Sequence, residues 1–150
     1  MSVRVSTART RRSQGSTLVE FAMVAFLVII VLLSVVEMSR MMLTYTTVAN
    51  SARAAARYAV VHGASRTGTG TNGPSGPGAN PTEVLLVATN FAKAGLLQPA
   101  SLTVNVTYPA GTNVVGSAVE VAVSYAYTPF VGLLPLSVSL SNTSRGVIVF

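Results

Sequence analysis

From Phe21 to Val36 the chain runs FAMVAFLVIIVLLSVV without a charge, and this stretch decides what the rest can be. As a helix its 16 residues rise about 24 Å, against a hydrocarbon layer of roughly 30 Å. Leu18 and Val19 on one side and Met38, Met41, Met42 and Leu43 on the other extend it, so the sequence predicts a single membrane span over about residues 18–43. With 150 residues, half of them apolar and 9% charged, the chain has room for that span and one small domain. It is too apolar for an ordinary soluble protein and too short for a multi-span transporter.

Charge orients the span. Of the formal +6, Arg4, Arg9, Arg11 and Arg12 contribute four positive charges before the apolar run begins. Basic residues on a short flank stay cytoplasmic, which places the N-terminus inside and the bulk of the chain outside. A nucleic-acid-binding tail is the competing reading, but no aromatic or Gly-rich RNA-binding pattern accompanies the arginines, and no nucleic-acid partner is expected. Chemistry is sparsely provided for. There is no cysteine, one histidine (His62) and four carboxylates (Glu20, Glu37, Glu83 and Glu120), and nothing in their spacing gathers a catalytic or metal-binding set. The chain reads as a non-enzyme without cofactors.

Three other accounts of the apolar run are weaker. A cleaved secretory signal ends in small residues of the A-x-A kind, whereas this core ends in Ser34-Val35-Val36-Glu37. A twin-arginine signal has only the bare Arg11-Arg12 pair in its favour. A plain uncleaved anchor leaves Glu20 unexplained, because a carboxylate at the head of a membrane helix is costly, up to about 2.5–3.5 kcal/mol at the bilayer centre and less near its edge. A cut after Gly15 would give Ser16 a new α-amino group one helical turn from Glu20, a cation for that carboxylate on the same chain or on a neighbour.

The order Arg11-Arg12, Gly15, four residues, Glu20 and a long apolar helix resembles the class III signal of type IV pilins and pseudopilins, which prepilin peptidase cleaves after the glycine. Ser16-Thr-Leu-Val-Glu20-Phe21-Ala22, then Glu37-x-x-Arg40, then Ala49-Asn50-Ser-Ala52-Arg53-x-x-Ala56-Arg57-Tyr58-Ala59 is similar to the TadE-like pseudopilins of tight-adherence (Flp) pilus systems. The resemblance covers residues 11–62 and departs from the family in two places: the span lacks a proline, and Met38-Ser39 stands where Phe-Gly is common. It implies a minor pilin or pseudopilin of the bacterial inner membrane, cut between Gly15 and Ser16, with prepilin peptidase, other pilin-like subunits and the tight-adherence machinery as partners. Incorporation into an extracellular pilus follows from the same resemblance. An uncleaved, membrane-anchored envelope-binding module is the alternative.

Past the span, no Pro or Gly occurs between Ser16 and His62, so one helix is predicted over 16–62, ended by Gly63. Residues 1–15, polar and aperiodic, are expected to be a disordered cytoplasmic leader. Glu37 and Arg40, three apart, are placed to pair at the outer interface or to end the span by snorkelling. Ala49, Ala52, Ala56 and Ala59 form a face of small side chains suited to close packing, against neighbouring subunits or against the chain's own outer domain. Arg53 and Arg57, four apart, make a basic face.

Residues 63–81 are Gly, Pro, Ser and Thr, a flexible linker or loop. The G-x-G-x-x-G within it, Gly68, Gly70 and Gly73, follows no strand and is succeeded by Pro74, so it is not a dinucleotide site. In the remaining module, 82–150, apolar periodicity predicts a helix from Thr82 to Ala94. Alternation predicts strands over Leu102–Tyr108 and Val119–Tyr127, with a last strand drawn from Leu136–Leu140 and Gly146–Phe150. Phe130, Val131, Leu133 and Leu134 between them are either an exposed sticky patch or tucked under the sheet. The expected fold class is α+β: a long N-terminal helix, then one helix on a three-stranded antiparallel sheet.

Overall fold

Helix α1 runs from Thr10 to Val61 in the computed structural model, which describes residues 10–78, 81–130 and 137–150. The helix therefore begins before Gly15, where the sequence suggested irregular backbone up to that residue; a single glycine in a helix costs only about 1 kcal/mol. Residues 1–9 lie outside the described residues. The chain divides into two units, Met1–Ser39 and Arg40–Phe150.

In the first unit the helix is apolar all round and exposed all round. Leu18, Phe21, Phe26, Leu27, Val31 and Leu32 all present their side chains to the surroundings. Such a helix has no inner face, so it needs an apolar medium rather than a core. Its hydroxyls are satisfied locally: Ser34 Oγ donates to the Ile30 carbonyl (2.8 Å) and Ser39 Oγ to that of Val35 (2.9 Å). With backbone and the Ser34 hydroxyl paired inside the helix, nothing polar between Phe21 and Val36 needs water, which is the condition for lying in lipid.

In the second unit the same helix has one buried stripe: Thr44, Thr47, Val48, Ala49, Ser51, Ala52, Ala55, Ala56, Ala59 and His62. The steps of three and four residues trace a single helical face. It shares one core with α2 (Thr82–Ala94), through Val84, Ala88 and Ala92, and with the sheet, through Val106, Val119, Val121, Val123 and Ile148. Each fully buried valine contributes on the order of 1.5–3 kcal/mol.

The sheet is antiparallel in the order β1-β2-β3, with β1 Leu102–Thr107, β2 Ala118–Tyr127 and β3 Val138–Val147. Between β1 and β2, Gly111 N–H donates to the Tyr108 carbonyl (2.8 Å), with Pro109 holding the first turn position and Gly111 at φ +66. The α+β architecture is the one read from the sequence. Strand β3 differs from the expectation, because Ser141–Arg145 belong to it although they are polar. The reason lies in the register: Asn142 and Ser144 stand opposite Val123 and Val121 on the face that the helices cover only in part, while Arg145 stands opposite Glu120 on the outer face. Hydroxyl-rich strands of this kind carry no apolar alternation for a sequence reading to find. Residues 131–136, which include Val131, Leu133 and Leu134, lie outside the described residues.

The Gly- and Pro-rich loop after α1 is pinned to the domain rather than free. Buried Ser75 donates its N–H (2.7 Å) and its hydroxyl (3.1 Å) to the His62 carbonyl, and the Tyr108 hydroxyl donates to the Ser75 carbonyl (3.0 Å). Asn113 Nδ2 donates to the carbonyls of Ser75 and Gly76, and the Asn113 carbonyl accepts from Ala64 N–H. The Tyr58 hydroxyl donates to the Thr71 carbonyl at 2.7 Å. These side chains supply the partners that a loop without secondary structure would otherwise take from water.

Gly63 is where this junction is tightest, since a Cβ there would collide with the carbonyl oxygens of Phe150 and Asn113 and with Ile148 Cγ2. Two of those atoms are backbone and cannot swing aside. Gly63→Ala is expected to destabilise the outer domain by about 3 kcal/mol, read as a lower midpoint in urea unfolding of the detergent-solubilised chain. Tyr108 gives a pH signature. Burial pushes its phenol above the ordinary 10.0, with the Ser75 hydrogen bond opposing in part. Because the folded value is raised, this contribution to stability is complete below pH 10.0 and is lost as pH rises towards the folded value. Tyr58 is raised too, mainly by burial and then by Glu83, and acts with the same sign. Stability measured from pH 9 upward is expected to fall above 10.0, and to fall less steeply in Tyr108→Phe.

Candidate assembly and processing site

Gly15, Ser16 and Glu20 are all exposed along the first unit's helix. Ser16 and Glu20 are four residues apart in continuous helix, so the Glu20 side chain, which leans towards the N-terminus, lies over the turn that contains Ser16. A Cβ built on Gly15 meets nothing within 4 Å. No packing in this chain therefore requires glycine at that position. Below Glu20 the exposed helix surface carries no further carboxylate until Glu37.

Glu37 is half-buried and Arg40 exposed. The Arg40 guanidinium stands 5.9 Å from the centre of the Tyr127 ring and 5.8 Å from that of Phe130, within cation–π range of both. Sequence reasoning did not anticipate these contacts, because they join residues almost ninety positions apart, on α1 and at or just past the end of β2. A signal for them existed only in the clustering of aromatics at Tyr125, Tyr127 and Phe130.

Ala49, Ala52, Ala56 and Ala59 are buried in the outer domain's own core, so their surface is already covered within one chain. The reading from four alanines missed Val48, Ser51 and Ala55 on the same stripe. In ANSARAAAR small residues occupy nearly every turn, and composition alone does not single out the buried ones. Arg53 and Arg57 are both exposed, and Arg53 Nη1 donates to Asn50 Oδ1 at 3.2 Å.

The titratable residues outside the helix are used structurally. His62 Nδ1 lies 2.8 Å from the Tyr58 carbonyl, and its ring stacks on that of Tyr58 with 3.8 Å between centroids. Glu120 pairs with Arg145 across β2 and β3 at 3.1 Å. Ser75 Oγ is directed to a backbone carbonyl and not to the imidazole. Among the described residues, no group of three or more His, Cys, Asp or Glu is placed to hold a metal ion.

Compared with known families, residues 15–57 match the model of the TadE-like protein family. The match runs from the glycine before the span to the end of the arginine pair, and it coincides with the resemblance carried by Glu20, Glu37-x-x-Arg40 and the alanine-rich helix. It stops short of the pinned loop, α2 and the sheet. No curated protein and no solved structure matches the chain. The family is a structural, pilin-like one and not a family of enzymes, and the match supports a pilin-like protein associated with a tight-adherence pilus.

Proposed function

We propose that this chain is a pseudopilin or minor pilin that takes part in assembly of a tight-adherence pilus. The observation that carries the reading is the family match over 15–57, laid on a helix whose apolar side chains are exposed on every side and whose head bears Glu20. The helix crosses the bacterial inner membrane once, with the arginine-rich N-terminus in the cytoplasm and the α+β domain in the periplasm. Prepilin peptidase cuts between Gly15 and Ser16. The Ser16 amine so created, on this chain or on its neighbour, is neutralised by Glu20, which removes the cost of holding a lone carboxylate at the membrane edge.

Contacts between subunits then fall mainly to the span. The alanine stripe outside the membrane is occupied by the chain's own domain, so it is the lipid-facing surface around Phe21, Phe26 and Leu32 that remains to be exchanged for contact with other pilin-like helices. In lipid such association rests on packing and on the few polar pairs available, of which Glu20 with an N-terminal amine is the strongest.

The open space at Gly15 makes a clean test. Gly15→Val leaves the helix packing untouched, so in cells with the peptidase it should yield the full-length precursor by intact-mass measurement, while the unaltered chain yields a form beginning at Ser16. Glu20→Gln should be cut normally and fail to enter pilus-associated complexes. Full-length mass for the unaltered chain, differing from that of Gly15→Val only by the substituted side chain, would refute processing at this bond and favour the uncleaved anchor.

A further inference from the structure

Helix α2 ends in a way that calls for explanation. Leu97 N–H donates to the Ala92 carbonyl (3.0 Å) and Leu96 N–H to that of Lys93 (2.9 Å), the paired bonds of a Schellman close. The left-handed position in that motif is ordinarily glycine; here it is Leu96, at φ 63. Glycine stands one residue earlier, at Gly95, where a Cβ would collide with Thr47 Cγ2. The close approach of α2 to α1 thus accounts for Gly95, but nothing among the described residues accounts for leucine at position 96. Its side chain is 91% exposed and buries almost nothing. A strained backbone that holds an apolar side chain out in the open points to a surface outside the chain.

The neighbours of Leu96 identify that surface. It lines a groove of about 220 Å³ with Arg40, Gln98, Tyr125 and Tyr127. Among the described residues no carboxylate lines the groove. Phe130, 84% exposed, places its ring 5.8 Å from the same Arg40 guanidinium. Two projecting apolar side chains therefore flank a cation and two tyrosines, the residue types that anchor proteins in the headgroup layer of a bilayer. Arg40 is also tied to that layer by the chain itself. It stands four positions past Val36, the end of the apolar run, a distance of at most about 14 Å even fully extended.

We infer that Leu96 and Phe130 insert into the phospholipid headgroup layer on the outer side of the membrane, with Arg40 between them facing lipid phosphate. This rests on the reading of α1 as a membrane span. It adds a second point of attachment, which seats the outer domain on the bilayer until the subunit is taken up.

The chain contains no tryptophan, so a single introduced indole reports alone. Full-length chains carrying Leu96→Trp, Phe130→Trp, Val115→Trp or Leu32→Trp would be placed one per nanodisc of phosphatidylethanolamine and phosphatidylglycerol, with acyl chains brominated just below the headgroup. Val115 is the remote control: its loop bonds to the chain after His62, about 33 Å along α1 from Arg40. The tryptophans at 96 and 130 are expected to lose most of their emission to bromine and the one at 115 to keep it. Emission at 96 and 130 equal to that at 115, with position 32 quenched, would overturn the proposal and leave the span intact. An unquenched position 32 would overturn both. Shielding at 96 and 130 that grows with chains per disc and ignores bromine would assign the face to a second copy and overturn the lipid reading. Leu96→Gly relieves the backbone, so it should raise the thermal midpoint while weakening quenching at position 130; unchanged quenching would overturn the role given to Leu96.

Discussion

One helix has to satisfy two environments, and the constraint falls on its backbone first. In lipid no water is at hand for a free N–H or C=O, so the apolar stretch is held to helix whatever the β-branched preferences of its valines and isoleucines. Nothing in the sequence between Ser16 and His62 interrupts that ladder, and the hydroxyls of Ser34 and Ser39 turn back onto carbonyls within the same helix. Helical geometry continues into the second unit, where the residues it presents change from large and apolar on all sides to small on one face. The outer domain is then built on a helix already formed by a different requirement.

Close approach is what the small face supplies. Alanines at 52, 55, 56 and 59 contribute little buried area each, but they let the valines of β2 and the helix α2 come near the α1 backbone. The contacts at the domain's edges are tighter still: Gly95 against Thr47, Gly146 against Val60, and Gly63 against the chain's last residues. The Val149 N–H donating to the Val60 carbonyl closes the same seam from the C-terminal side. Glycine serves at these three positions through the absence of a side chain and not through left-handed backbone. That distinction is why Leu96, and not Gly95, carries the positive φ at the end of α2.

Much of this was legible from the sequence because the local signals were independent of tertiary context. The stripe from Val84 to Ala92 gave the helix, the alternation through Val119–Tyr127 gave the central strand, and the run without Pro or Gly gave the long first helix. What escaped reading depended on distant partners. Ser141–Arg145 is a strand because β2 offers it a register, as the pairing of Arg145 with Glu120 illustrates. The loop is ordered because Tyr108 and Asn113, far along the chain, reach Ser75. In the candidate site the pattern was the same: Gly15 and Glu20 were read from local spacing, whereas the aromatic partners of Arg40 come from the end of β2 and the residues just after it.

The division of the helix bears on how a subunit of this kind can be recruited. A surface already covered by the chain's own core would have to be uncovered before another subunit could use it, which would expose Val48, Val84 and the β2 valines together. Each costs on the order of 1.5–3 kcal/mol to return to water, more than a small domain can spare. The exposed span has no such cost, since in lipid it would exchange apolar surroundings for protein of similar polarity. On the proposed function, specificity in the membrane would rest on Glu20, the carboxylate at the head of the span.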